Sequence, residues 1–344
     1  MSAENVDMKV LPATARPHPV TIYDIARATG VSTSTVSRAF SKPERVSAAT
    51  VKRIQEAAAA LGYRINPLAS ALPTGRTNTL GLVLSDITNP VYFDLVRGAG
   101  RVAAAEGYTL VLAESQAELG LESQAIERLL SLVDGLVLVE TKMEEKDILA
   151  AADRKPLLLV NRMVSSLPHV QPDIETGLKA ALAHLADLGH RSIAYVSGPS
   201  KSWLSEWRWE TILNGALESA ISVVEIGPTN PTFEGGAECL RRVKASGVTA
   251  VLTFNDVMAI GLLTACEEAG IVIPDELSII GFDNIFAAEF TYPSLTTIQP
   301  RLGEAGEQAF RQLVATLKDA KQEEPSSLAT DLVIRKSTGH PRKT

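Results

Sequence analysis

Beyond residue 78 the chain alternates between short, continuously apolar runs and longer segments whose apolar residues recur at helical spacing. Such runs are typical of parallel strands buried on both faces, and the segments between them are typical of covering helices. The predicted strands are 79–84, 108–112, 135–139, 156–160, 192–196, 223–226, 250–253, 277–281, 296–299 and 328–335. Because the alternation restarts after residue 160, it predicts an α/β core of two doubly wound parallel-sheet subdomains with a cleft between them.

The segment before this core has a different pattern. It contains three short stretches of helical spacing and several residues that typically begin or end helices. Thr21, with Asp24 three residues later, resembles the start of a helix, and Gly30 can adopt the left-handed backbone that ends one. Ser32 can cap a second helix, and Ser47 a third, which Gly62 would end. Two short helices joined by a glycine-containing turn predict an all-α helix-turn-helix domain.

The second of these helices would turn short hydroxyl side chains and one arginine outward. Val36 and Ala39 take the inner positions, which leaves Thr33, Ser34, Ser37 and Arg38 on the outer face. In a helix-turn-helix the second helix enters the major groove, where hydroxyls bond base edges and arginine binds guanine or phosphate. Alternatively the hydroxyls form only a polar helix surface. The agreement of turn, caps and third helix favours DNA binding.

Composition and charge are consistent with DNA binding. Residues 1–76 carry a net charge of +5, whereas the remainder carries −12 within a chain of 344 residues. A basic headpiece on an acidic core suits DNA, because phosphate attraction is local and screened beyond about 10 Å. No apolar run has membrane-spanning length and residues 1–20 lack a signal-peptide core, so we expect a disordered leader, a cytoplasmic protein and no membrane partner. The two cysteines and five histidines show no metal-ligand spacing, and we expect no metal or cofactor.

The sequences TIYDIARATGVSTSTVSRAF and RVSAATVKRIQEAAAALGYRINPLASAL resemble the DNA-binding headpiece of the lactose/galactose-repressor family of bacterial transcription regulators. The resemblance implies that Thr33 and Ser34 are the main base-reading pair, and that Leu72 is a wedge entering the minor groove of a kinked operator. The DNA-binding set that it implies is Thr21, Tyr23, Ser32, Thr33, Ser34, Thr35, Ser37, Arg38, Arg45, Asn66, Ala69 and Leu72. Ser70 and Pro73 depart from the family pattern, which often has basic residues there.

The same resemblance supplies domain boundaries. It implies a helix-turn-helix domain at 21–65, a hinge helix and linker at 66–78, and an effector-binding and dimerisation core at 79–344. The core would resemble the sugar-binding-protein fold, with a first subdomain of about 79–173 and 299–324 and a second of about 174–298 and 325–344. The hinge is too short to be a stable helix alone, and we expect it to fold when two copies meet on DNA.

Polar residues follow several of the predicted strands. Because ligands of open parallel sheets bind beyond the carboxyl ends of the strands, these residues predict a binding site. They are Ser85, Asp86, Asn161, Arg162, Gly198, Pro199, Ser202, Trp203, Asn255, Asp256, Asp283 and Asn284. A mainly polar set with one arginine and a tryptophan suits a neutral polyhydroxyl ligand.

The family resemblance narrows the effector site. SGPSKSWLSEWRW resembles the segment that carries the effector-contacting arginine, which implies Arg208, and the blocks TFNDVMAIGLL and IIGFDN imply Asn255 and Asp283. Pro231 falls where relatives have an aromatic residue, so we expect Trp203 to replace that stacking surface. The full predicted set is Ser85, Asp86, Tyr92, Asn161, Trp203, Arg208, Asn255 and Asp283. Each has a structural alternative, as a helix cap, a loop cap or a packed tryptophan pair.

Sequence motifs of enzymes are missing. The chain has no G-x-G-x-x-G after its first strand, no G-x-S-x-G and no paired cysteine or histidine metal motif. We therefore predict a transcriptional regulator, most simply a repressor, that binds a palindromic operator in double-stranded DNA as a homodimer. A small sugar or sugar alcohol would control its DNA affinity. The alternatives are a corepressor-dependent or activating regulator with a non-sugar ligand, and a solute-binding protein.

Overall fold

A computed structural model describes residues 20–63, 76–116, 118–321 and 328–342. The chain divides into two compact units, Met1–Gly75 and Arg76–Thr344, which we describe separately. The described part of the first unit, residues 20–63, is called the headpiece below. The described part of the second unit is called the core.

The headpiece consists of three helices around a small apolar centre. Its helices are α1 (Ile22–Thr29), α2 (Thr33–Ser41) and α3 (Ala48–Leu61), with a 3₁₀ turn at Pro43–Arg45. Ile25, Val36 and Ile54, one from each helix, are fully buried against each other. This packing confirms the inward positions that helical spacing predicts.

The helix boundaries of the headpiece follow from local hydrogen bonds. The Asp24 carboxylate accepts from both the backbone N–H and the hydroxyl of Thr21, at 2.9 and 2.7 Å. The Ser32 hydroxyl accepts from the backbone N–H of Thr35 at 3.2 Å and so caps α2. Gly30, with φ of 66°, is the left-handed residue that ends α1. The predicted helix starts and the predicted turn are confirmed.

The core contains two sheets. The first, in the order β2-β1-β3-β4-β5, is wholly parallel. Its strands are β1 (Thr79–Leu84), β2 (Thr109–Glu114), β3 (Gly135–Val139), β4 (Leu157–Val160) and β5 (His169–Val170). Its connecting helices are α4 (Tyr92–Ala105), α5 (Leu119–Leu130) and α6 (Glu145–Ala152). We call this sheet and its helices the first subdomain.

The second sheet has the order β11-β10-β9-β8-β6-β7, with only β11 antiparallel to its neighbour. Its strands are β6 (Ser192–Val196), β7 (Ser222–Ile226), β8 (Ala250–Thr253), β9 (Ser278–Phe282), β10 (Thr296–Gln299) and β11 (Asp331–Val333). The helices beside it are α7 (Ile174–Asp187), α8 (Trp203–Glu218), α9 (Phe233–Glu238), α10 (Leu240–Ser246) and α11 (Asp256–Glu268), with a 3₁₀ turn at Phe286–Glu289. These elements form the second subdomain.

One late helix returns to the first subdomain. α12 (Leu302–Leu317) buries Phe310 and Leu313 in the apolar cluster around β1, β3 and β4, although β10 just before it pairs in the second sheet. The chain then enters β11, which pairs with β10. The subdomains are therefore linked by several chain crossings, which is the architecture that the family resemblance implies.

Besides shifts of one or two residues at element ends, the structure departs from the predicted elements in three places. The helix predicted at 233–245 is two helices, α9 and α10, joined at Cys239. Gly236 and Gly261 bring α9 and α11 so close that a Cβ at either would lie about 2 Å from a backbone oxygen of the other helix. The strand predicted at 328–335 is only Asp331–Val333. The sequence does not predict β5, because a strand of two residues is too short to show a hydrophobic pattern.

Close packing of α4 on α12 leads to a stability prediction. A Cβ at Gly98 would lie 2.2 Å from the Gly303 carbonyl oxygen, so Gly98→Ala must push the two helices apart. We expect Gly98→Ala to lower the free energy of unfolding by about 1–3 kcal/mol, measured by urea denaturation. Gly100→Ala on the same helix is the control, because its nearest neighbour would be a leucine methyl at 3.9 Å. Equal destabilisation by both variants would contradict the packing argument.

Candidate functional site

The outer face of α2 carries the candidate DNA-reading residues. Ser34 and Arg38 are exposed, and the Arg38 Nη2 donates to the Ser34 hydroxyl at 3.3 Å. The Ser32 hydroxyl lies 2.9 Å from that of Ser34 and 2.8 Å from that of Thr35. The helix therefore begins with a connected group of hydroxyls and has an arginine one turn later.

The remaining predicted DNA-binding residues lie around this face or outside the described residues. Tyr23, on α1, is 66% exposed. Thr21 and Arg45 are exposed, and Thr33 and Ser37 are half-buried. Asn66, Ala69 and Leu72 lie outside the described residues. The DNA contacts of all these residues stay predictions.

In the core, a cavity of about 500 Å³ lies at the carboxyl ends of the strands, between the two subdomains. Six of the eight predicted effector residues line it, namely Ser85, Asp86, Tyr92, Arg208, Asn255 and Asp283. A larger surface groove, of about 830 Å³, runs along α4 and α12. Five of its charged side chains pair with each other, namely Arg101, Glu106, Glu307, Arg311 and Lys318, and the distance between Arg311 and Glu307 is 2.9 Å.

Hydrogen bonds fix the cavity wall formed by the first subdomain. The buried Tyr92 hydroxyl lies 2.7 Å from the Ser85 hydroxyl and donates to the Glu140 carboxylate at 2.9 Å. The Asn161 amide donates to the other Glu140 oxygen at 3.0 Å. Burial, and then the charge of Glu140, hold the pKa of Tyr92 well above its ordinary value, so Tyr92 stays a neutral hydroxyl. Asn161 does not line the cavity itself but orients a residue that does.

The opposite wall is built around Arg208. Its guanidinium carbon lies 3.7 Å from the centre of the Phe282 ring and 4.6 Å from that of Phe254. Nη1 donates to the Phe254 carbonyl oxygen, and Nη2 is 3.8 Å from a carboxylate oxygen of Asp283, too far for a direct hydrogen bond. The Nε atom is buried and has no hydrogen-bond partner within the described structure. Arg208 is thus held in place with hydrogen-bonding capacity left over.

Asp283 is buried beside Arg208. Burial raises the pKa of Asp283 well above its ordinary value, the Arg208 guanidinium opposes that increase, and the charges of Asp256 and Glu140 add to it. Asp283 has a φ of 115°, in the region that favours glycine. Such backbone strain, at a residue that ends a buried strand and faces a cavity, is typical of functional sites.

Asn255 has a structural role and also lines the cavity. Its side-chain oxygen accepts from the backbone N–H of Met258 at 2.9 Å, so it is the N-cap of α11. Its amide nitrogen donates to the Pro231 carbonyl oxygen at 3.2 Å, and both residues line the cavity. The structural alternative raised for Asn255 is therefore real, and it does not remove the residue from the site.

The structure does not bring Trp203 to the cavity. Positions 204 and 208 of α8, one helical turn apart, line the cavity, whereas Trp203 and Trp207 fall on the neighbouring stripe. The two indole rings lie 5.2 Å apart, and the Arg162 guanidinium is 6.0 Å from the Trp203 ring. The expected stacking surface is thus absent from the described cavity lining. Its apolar lining consists of Val91, Leu204, Pro231 and Phe254.

Glu140 is the main cavity residue that sequence reasoning missed. It directly follows β3, so the rule that selected the other strand-end residues also applies to it. Glu114, the last residue of β2, and Gln116 line the cavity as well. Asn230 and Thr232 carry no such signal, because they lie in the loop between β7 and α9.

Asp256, just behind this site, leads to a pH prediction. Its carboxylate accepts from the Thr297 hydroxyl at 2.6 Å and from the Ile285 N–H at 2.9 Å, and burial raises its pKa to about 7. Between about pH 4 and pH 7 the folded state then binds more protons than the unfolded chain, so rising pH lowers stability. We expect Asp256→Asn to flatten this part of the stability curve, measured by urea unfolding at several pH values. An unchanged slope would contradict the assignment.

The fold and the two sites define a class of protein: a DNA-binding headpiece joined to a two-subdomain core with a ligand cavity. Residues 21–66 match the bacterial regulatory proteins of the lacI family, and residues 182–338 match the periplasmic binding protein-like domain. Within the described residues, no helix is long and apolar enough to cross a membrane, and no group of three or more His, Cys, Asp or Glu residues could hold a metal ion.

Whole-chain relatives agree with these matches. The HTH-type transcriptional repressor PurR of Photobacterium profundum is 31% identical, over 92% of this chain and 98% of its own. The HTH-type transcriptional repressor CytR of Escherichia coli (strain K12) is also 31% identical, over 92% and 96%. The lac repressor dimer, solved bound to operator and the anti-inducer ONPF, has a TM-score of 0.83 at 25% identity, over 94% and 100%.

The chain belongs to the lacI family of bacterial regulatory proteins. Like its relatives, it is a DNA-binding transcriptional repressor of that family. It is not an enzyme.

Proposed function

We propose that this cytoplasmic repressor binds a palindromic operator as a homodimer and that a small sugar or polyol in the core cavity controls its DNA affinity. One observation carries the proposal: a cavity of about 500 Å³, sized for a small molecule, takes polar groups from both subdomains. A ligand that bonds both walls favours one relative position of the subdomains over another. Such differential binding is what an allosteric effector requires.

The cavity chemistry suits a polyol. Carboxylates of Asp86, Glu114 and Glu140 can accept from ligand hydroxyls, while Arg208 can donate to them. The 3.8 Å gap between Arg208 and Asp283 can be bridged by one ligand hydroxyl that accepts from the first and donates to the second. Pro231 and Phe254 offer apolar surface to the C–H face of a sugar ring.

Coupling to DNA follows from reciprocity. If effector binding weakens operator binding by some factor, operator binding must weaken effector binding by the same factor. Reciprocity holds for either sign of the coupling, so a corepressor acting on the same cavity is the alternative. We propose that the segment at 66–78 transmits the change.

An exposed aromatic group on the second subdomain supports the homodimer. Phe286, Phe290 and Tyr292 are 63%, 80% and 93% exposed, and clustered exposed aromatics usually mark an interaction surface. The family resemblance also implies that the helices near 91–106 of the two copies pair, so one interface would extend over both subdomains. We expect Phe290→Asp to raise the dimer dissociation constant at least about tenfold in analytical ultracentrifugation, whereas Leu217→Asp, on α8, should not. Unchanged association would remove these aromatics from the interface.

The test of the proposed function is operator binding by fluorescence anisotropy at fixed salt, with and without each compound of a panel of sugars, polyols and nucleosides. Release by a sugar or polyol supports the proposal as stated. If a compound tightens operator binding, the effector acts in the opposite direction and is a corepressor. Specific binding that no compound alters, together with no binding to the isolated core, would refute effector control through this cavity.

A further inference from the structure

The charges around the core cavity are distributed unevenly. The first subdomain contributes three carboxylates, Asp86, Glu114 and Glu140, and no lysine, arginine or histidine to the described lining. The second contributes one cation, Arg208, and it faces the carboxyl group of Asp283. Without Asp283, whose charge is opposed by burial, the lining still holds three acidic groups and one basic group.

The three carboxylates of the first wall are fixed by neutral donors. Asp86 accepts from the backbone N–H and hydroxyl of Thr88 at 2.8 and 2.6 Å, and Glu114 accepts from the Ile87 N–H at 2.9 Å. Glu140 is held by a tyrosine hydroxyl and an asparagine amide. These bonds orient the carboxylates without neutralising them, and none of the three forms an ion pair in the described structure.

Arg208 points to a ligand but cannot by itself make an anion site. It is only 4% exposed, it lines the cavity, and its buried Nε has no hydrogen-bond partner within the described structure. Its flat faces are covered by Phe254 and Phe282, and its two remaining nitrogens face a carbonyl oxygen and Asp283. The two helix N-termini whose caps line its wall, those of α9 and α11, are already capped by Thr232 and Asn255. A phosphate would meet one cation and three carboxylates.

We propose that the cavity selects its effector by charge: it accepts polyols that are uncharged or carry a protonated amine, and it rejects phosphorylated and carboxylated forms of the same molecules. This inference rests on the proposed function and narrows it. One carboxylate about 6 Å from a phosphate, at an effective dielectric constant of about 20, already disfavours binding by more than tenfold. The repressor would therefore respond to a compound before a kinase phosphorylates it, and the product of that phosphoryl transfer would not be detected.

The test uses matched sets of compounds and isothermal titration calorimetry on the full chain at constant ionic strength. The sets are ribose with ribose 5-phosphate, glucose with glucosamine, gluconate and glucose 6-phosphate, and adenosine and cytidine with their monophosphates. In every set that binds, we expect the uncharged or aminated member to bind at least about tenfold more tightly than the anionic member. Glu140→Gln should reduce the ratio of the dissociation constants of the anionic and the uncharged member several-fold. Glu118→Gln, outside the cavity lining, should leave this ratio unchanged.

The outcomes separate this inference from the proposed function. An anionic member that binds as tightly as its parent overturns the charge selection and leaves effector control standing. If Glu140→Gln leaves the ratio of the dissociation constants unchanged, the carboxylates of the first subdomain are not the cause of the charge selection. If no member of any set binds, the cavity is not a polyol site, and the proposed function and this inference fail together.

Discussion

Replacing Arg208 with methionine is expected to abolish the response to effector while leaving operator affinity in the absence of effector unchanged. Arg208 is the only cation in the described cavity lining, and its Nε and Nη2 are the donors with capacity for a ligand. A hydrogen bond from a charged group contributes about 1.5–3 kcal/mol, so losing two of them should weaken effector binding by about 100-fold or more. Calorimetry measures the binding loss, and anisotropy measures the loss of response on DNA.

Methionine is chosen because the site can accommodate it. Its unbranched, apolar side chain fits between the rings of Phe254 and Phe282, where a smaller residue would leave a cavity. Loss of the guanidinium should raise the pKa of Asp283 further, so Asp283 takes up a proton rather than remaining a buried, unpaired charge. Arg241→Met, exposed on α10, is the matched control. Normal effector affinity in Arg208→Met would remove the central donor from the proposed site.

Much of the fold was predictable because its signals are local. The strands 135–139 and 192–196 were predicted with the bounds that the structure has, since each is a mainly apolar run between clear breaks. The headpiece helices were predictable from caps such as Ser32, which act through hydrogen bonds within one turn. The Cys239 junction was not predictable, because the close approach of α9 to α11 depends on contacts between segments distant in sequence.

The cavity shows the limit of reasoning from strand ends. The rule selected Ser85, Asp86, Asn255 and Asp283 because the carboxyl end of a strand fixes a position along the sheet. It misplaced Trp203, because which stripe of α8 faces the cavity depends on how the helix is rotated against the sheet. That rotation is set by packing: Leu204 is buried in the apolar cluster with Val196 and Phe254, and Trp207 only borders it. The sequence around α8 is apolar on more than one side, so its period does not identify the buried stripe.

The second large effect is expected on the DNA. Arg38→Ala should weaken operator binding by about 1–3 kcal/mol, which corresponds to about 5- to 150-fold, while changing binding to unrelated DNA much less. The hydrogen bond to Ser34 orients the Arg38 side chain along the exposed face of α2, toward the start of the helix where base contacts are made. Arginine at such a position can bond guanine bidentately, and alanine cannot replace either bond. Anisotropy on operator and on random-sequence DNA, over a range of salt, measures both affinities.

Salt dependence decides between the two roles that an arginine can have on DNA. A base contact releases no phosphate counterion, so the slope of log affinity against log salt should be the same for Arg38→Ala and the parent protein. If Arg38 instead grips a phosphate, binding should fall equally on all sequences and the slope should decrease by about one. Arg27→Ala is the control, because Arg27 is a highly exposed cation of α1 with only a 3.9 Å pairing to Asp24. A loss that the two variants share would reflect headpiece charge alone, whereas a sequence-specific loss confined to Arg38→Ala would identify α2 as the reading helix.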